Sequence, residues 1–175
     1  MSDQFEKGVN KLNQSRKLAD YWPLISLILV AMLAGAAICH GIQGGMLQWM
    51  HYFMGILFCQ FALLKLFDIS GFADGFQMYD IIAKRTRVYA LAYPFVELLV
   101  GLAYLSFFYP VITYVITIML MAIGSYGVIK AFQKKLNIYC PCMGNILKVP
   151  LSTVTLSEDI GMGIMALIML VSSFL

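Results

Sequence analysis

Charge is scarce in this chain. Only 12% of its 175 residues are Asp, Glu, Lys or Arg, about half the share usual in a soluble domain. That shortage, beside 61% hydrophobic residues, excludes an ordinary soluble fold. Cysteine is limited to Cys39, Cys59, Cys140 and Cys142. These are too few and too unevenly spread for a secreted disulfide scaffold. Histidine is rarer still, with His40 and His51 alone. Neither lies in the loop of the later cysteines, which argues against a four-ligand zinc site there. Nucleotide-binding loops, the H-E-x-x-H pair and the serine nucleophile elbow are all missing. The net charge of +3 is small, and no basic stripe with interleaved aromatics occurs, which excludes nucleic acid as a partner.

What remains is a set of apolar runs of membrane-spanning length. The sequence predicts an all-α fold, a polytopic transmembrane helical bundle of about five spans near residues 21–39, 50–67, 88–108, 111–132 and 156–175. Residues 1–20 form a polar segment, in which Phe5, Val9 and Leu12 share a helical face, and residues 21–175 form one transmembrane domain. The first run has a long polar lead-in and an extended apolar core, so it reads as a span rather than a cleaved leader. Pro23 suits the first turn of its helix. Between the second and third spans, Phe72, Phe76 and Tyr79 share a face. This predicts a short interfacial helix lying in the membrane surface, with Asp74 and Asp80 on its solvated side. Thr155, Leu156, Ser157 and Glu158 have capping-box spacing and predict the start of the last helix, with Glu158 and Asp159 near the surface.

Basic residues set the expected orientation. Lys7, Lys11, Arg16 and Lys17 precede the first span, Lys84, Arg85 and Arg87 precede the third, and Lys130, Lys134, Lys135 and Lys148 surround the fourth connection. The first and third connections contain neither Lys nor Arg. The N-terminus is therefore expected in the cytoplasm and the C-terminus outside, across the inner (plasma) membrane.

The densest reactive chemistry is Cys140-Pro141-Cys142-Met143-Gly144, expected on the cytoplasmic side. A Cys-X-Cys disulfide closes a small strained ring that is easily reduced, and neighbouring lysines favour thiolate. The same two thiolates with the Met143 thioether make a soft site for a thiophilic ion such as Cu(I). Cys39, His51, Met50, Met54 and Cys59 are soft-ligand types that extend this second reading to the outer face, although Met and Cys are also ordinary bundle fillers. Glu97 stands well inside the third span and must face the bundle interior, with Lys65 as its obvious partner. Lys65 and Asp68 are also spaced to pair along one helix.

Three stretches then suggest a family: Phe67 to Asp74, Met78 to Lys84, and Tyr93-Pro94-Phe95-Val96-Glu97. With Cys140-Pro141-Cys142-Met143-Gly144, Pro150 to Thr155 and Glu158-Asp159, they resemble the MauE branch of the DoxX-like membrane proteins over about residues 50–175. The resemblance implies a four-helix core plus one span and a redox-associated role. Its namesake is linked to maturation of the disulfide-rich small subunit of methylamine dehydrogenase beside a thioredoxin-like partner. Relatives carrying such a thiol motif are sometimes fused to a heavy-metal-associated domain, which implies copper or a similar ion.

Three functions follow. In the first, Cys140 and Cys142 exchange a disulfide with a thioredoxin-like protein. In the second, the chain passes a copper-like or mercury-like ion from a soft-metal carrier across the bilayer, through the donors named above and Glu97. In the third it is a non-catalytic assembly partner. The resemblance ranks redox work first; residue chemistry and topology alone rank metal first.

Overall fold

The computed structural model describes the backbone of residues 2–80, 82–133 and 151–174, and the side chains of 22–78, 80, 82–130 and 156–174. Six α-helices and no strands occur among the described residues: α1 (Ser2–Gly41), α2 (Met46–Phe67), α3 (Ile69–Tyr79), α4 (Arg87–Leu105), α5 (Pro110–Gln133) and α6 (Leu151–Ser172). Trp22–Gly41 of α1, α2, α4 and Pro110–Lys130 of α5 are each long and apolar enough to cross a bilayer. The chain is therefore a helical membrane bundle. The fifth expected span corresponds to α6, whose 22 residues make a helix ~33 Å long.

Local chemistry explains where the helices begin and end. Gly45 donates its N–H to the Gln48 side chain at 2.8 Å, which starts α2 at Met46, a turn earlier than the pattern predicts. Asp68 caps α3 by accepting the Gly71 N–H at 2.9 Å. After α3, Oδ1 of Asp80 accepts the N–H groups of Ile82 at 2.9 Å and Ala83 at 2.8 Å, an Asx-type turn that breaks the helix before α4. Phe107 and Tyr109 adopt φ of 54° and 41°, a region non-glycine residues rarely enter. They reverse the chain within a few residues, and Pro110 opens α5 where its missing N–H is harmless.

Several expectations are corrected here. The backbone of α1 runs unbroken from Ser2, so Pro23 lies inside a helix rather than in its first turn. Span three stops at Leu105 instead of continuing to residue 108, because the left-handed turn at Phe107 ends it. The last helix starts at Leu151, so the Thr155–Glu158 box lies within α6 and does not initiate it. The apolar face of α3 turns inward rather than onto lipid: Phe72, Ala73 and Phe76 are buried with Ala90 and Tyr93 of α4 and Val128 of α5. Asp80 is fully buried instead of solvated, held by the turn it templates.

α2 sits at the centre, packed against α1 and α4, while α5 and α6 form a second pair. The α2–α4 crossing is close because two glycines face each other. A Cβ at Gly101 would come within 2.8 Å of Cys59 Sγ and 3.1 Å of the Gly55 carbonyl, the small-residue contact expected where lipid supplies no hydrophobic drive. Phe53, Met54, Leu57, Phe58, Tyr104 and Met169 fill the main core. The helices alternate in direction, so the α1–α2 and α4–α5 connections share one end of the bundle. The opposite end holds α3, the α3–α4 turn, the end of α5 and the start of α6.

Candidate functional site

The site is built from the few charges that the bundle encloses. Lys65 stands two residues before the end of α2, and Glu97 is about 15 Å along α4 from its start. Their side chains are only 4% and 5% exposed. Both carboxylate oxygens of Glu97 accept from the Lys65 ammonium. The ring of Phe72 lies 5.5 Å and that of Tyr93 5.2 Å from Lys65 Nζ. Two aromatic faces and one carboxylate thus replace the water that a buried ammonium loses. Burying α3 against α4 is what brings Phe72 to this position.

Beside the pair lies a cavity of about 30 Å³, lined by residues of α2 to α6, including Glu158 and Asp159. That is space for a water molecule or two. Glu158 is the eighth residue of α6, so these carboxylates enter the bundle and do not mark a helix start at the surface. Gly124 of α5 makes room for one of them: a Cβ there would lie 3.1 Å from Asp159 Oδ2. Among the described residues the pocket therefore gathers one ammonium and three carboxylates, a formal charge of −2. Ionisable groups inside a membrane bundle are costly and rare, which makes this pocket the candidate site.

The soft-ligand candidates are arranged differently. His51 Nδ1 lies 3.3 Å from the Tyr104 carbonyl. A carbonyl only accepts, so Nδ1 carries the proton and Nε2 accepts from the Tyr114 hydroxyl. The Tyr104 hydroxyl donates to Thr117 Oγ1 at 3.1 Å, which donates to the Thr113 carbonyl at 2.9 Å. The imidazole also stacks on Phe107, with ring centres 4.4 Å apart. Both ring nitrogens of His51 are thus engaged by the protein. Met50 and Met54 are packed into the core. Cys39 directs its thiol to the Gly45 carbonyl at 3.4 Å, and Cys59 lies against Gly101. Among the described residues no three His, Cys, Asp or Glu side chains come together to hold a metal.

Of the residues singled out in the sequence, the fold joins Lys65 with Glu97 and leaves Cys39, Cys59, His51 and the two methionines in separate roles. Asp68 serves as the α3 cap, also accepting from Ser70 at 3.3 Å. Cys140, Cys142 and Met143 lie outside the described residues. Two groups escaped the sequence reading. Glu158 and Asp159 were assigned to the surface because a capping box preceded them. Tyr104, Tyr114 and Thr117 drew no notice, although Thr113 and Thr117, one turn apart in an apolar run, are the spacing of hydroxyls on one helix face.

A helical membrane bundle with a charged pocket enclosed between its helices is the class that fold and site define. Residues 43–172 match the family described as Methylamine utilisation protein MauE, and the chain belongs to that family. The matched stretch runs from the α1–α2 connection through α6 and includes every residue of the pocket. No curated protein and no solved structure matches the chain.

Proposed function

We propose that this protein supports the maturation of other proteins by thiol–disulfide exchange at Cys140 and Cys142, as an integral membrane component of methylamine utilisation. The family description supports the setting. The observation that carries the choice of redox work over ion transport is His51: both its nitrogens are hydrogen-bonded, to Tyr104 and Tyr114, so this buried ring offers no free lone pair to an ion on a route through the bundle. In the exchange, a thiolate of the pair attacks the disulfide of a thioredoxin-like partner and releases one partner thiolate. The second thiolate then attacks the mixed disulfide. Cys140 and Cys142 end as a disulfide, the partner ends as a dithiol, and two electrons have passed to it. The strained Cys-X-Cys ring makes the return reaction with a reductant easy. The N-terminus inside, as the basic residues suggest, puts the pair in a reducing compartment, where cellular thiols can return the disulfide to the dithiol.

The test is thiol titration of the purified protein in glutathione buffers, with bound metal measured on the same sample. A reversible two-electron couple that is lost in Cys140→Ser with Cys142→Ser, in metal-free protein, supports the reading. Stoichiometric copper released by the same double substitution would overturn it in favour of transport.

A further inference from the structure

The geometry points to a second surface, at the α3–α4 turn and the start of α4, that binds the headgroups of anionic phospholipids. The turn is rigidly built. Asp80 is fully buried and holds the Ile82 and Ala83 N–H groups, and Ala83 is itself buried. The Arg85 and Thr86 N–H groups both reach the Ile82 carbonyl, at 3.0 and 3.2 Å. With Ala83 fixed inward, Lys84 and Arg85 are left exposed. Arg87 follows as the first residue of α4 and is exposed as well, 2.9 Å from Asp74.

The balance of charge on this surface is positive. Asp80 faces inward onto backbone N–H groups, Asp68 caps α3, and Asp74 meets Arg87. Among the described residues, Lys84 and Arg85 therefore have no nearby carboxylate left in the turn to neutralise them. Met78, Ile82 and Val88 are exposed apolar side chains around the same cations. The turn joins helices that end at Phe67 and begin at Arg87, so it lies at the boundary of the bilayer. Acyl chains match the apolar side chains and phosphates match the cations, a pairing that a soluble anionic partner does not offer. Each cation held at an anionic surface strengthens association roughly fivefold, so Lys84 and Arg85 together supply about 25-fold.

The experiment is native mass spectrometry of delipidated protein titrated with phosphatidylglycerol or phosphatidylcholine. Wild type is expected to favour phosphatidylglycerol about 25-fold, and Lys84→Gln with Arg85→Gln to bring the two lipids near parity. Both positions are exposed, so the variant keeps its thermal midpoint, which is measured in parallel. Equal affinity of wild type for the two lipids would overturn the proposal, as would a preference that survives the double substitution. Displacement of the lipid by millimolar inorganic phosphate would also overturn it, because the surface would then recognise a free anion. These outcomes are independent of the thiol titration.

Discussion

The Lys65–Glu97 pair makes the sharpest prediction, because the two single substitutions are not equivalent. Removing one partner from a buried ion pair costs about 3–5 kcal/mol, whereas replacing both with neutral groups of similar shape is often nearly neutral. This pocket adds a second consideration. Among the described residues Lys65 is the one cation lining the pocket, so Lys65→Met removes that charge from beside three carboxylates, while Glu97→Gln leaves the ammonium near Glu158 and Asp159. Lys65→Met is therefore expected at or above the upper end of that range, and Glu97→Gln near or below the lower end. The double variant restores the formal charge of the native pocket and should recover ~2 kcal/mol or more of the Lys65→Met loss. Reversible unfolding in mixed micelles, followed by circular dichroism at several denaturant concentrations, measures all three. Equal losses for the two single variants would refute the role given to the α6 carboxylates. A double variant as unstable as Lys65→Met would refute the pairing itself.

Other expectations follow from the same geometry. Tyr114→Phe leaves His51 Nε2 without its donor and should cost about 1–3 kcal/mol, whereas Tyr104→Phe, which leaves Thr117 bonded to the Thr113 carbonyl, should cost about 1 kcal/mol; comparing their thermal midpoints checks the order. Gly101→Ala pushes a methyl onto Cys59 and the Gly55 carbonyl and should destabilise by about 1–3 kcal/mol. Adding Cys59→Ala should return only part of that, since the backbone contact persists, and the same unfolding assay reads it. Maleimide labelling of the folded protein should be confined to Cys140 and Cys142 within minutes; rapid labelling of Cys39, which is 7% exposed, would contradict its packing.

The helices were legible because lipid demands long apolar runs, and four of the expected spans recur within a few residues. Their edges were not, because they depend on side chains acting over short distances. Gln48 reaching Gly45 and the left-handed turn at Phe107 leave no periodic trace. Glu97 stood out as a carboxylate inside an apolar run, and Lys65 was the nearest cation of suitable depth. Glu158 and Asp159 were misread for a physical reason: a capping box is a local signal, and α6 begins a full turn upstream of it, at Leu151. Asp80 shows the same limit, since a polar residue on an amphipathic pattern reads as solvated unless the backbone turn that needs its carboxylate is known. The His51 network crosses α2, α4 and α5, and contacts that far apart in sequence have no spacing rule.

The direction of that network has a consequence for where protons can travel. One run of donors goes from Tyr114 through His51 to the Tyr104 carbonyl, and the other from Tyr104 through Thr117 to the Thr113 carbonyl. Each terminates on a peptide oxygen, which has no proton to hand on. Hopping conduction by either run stops there, so neither run relays a proton to the Lys65–Glu97 pair.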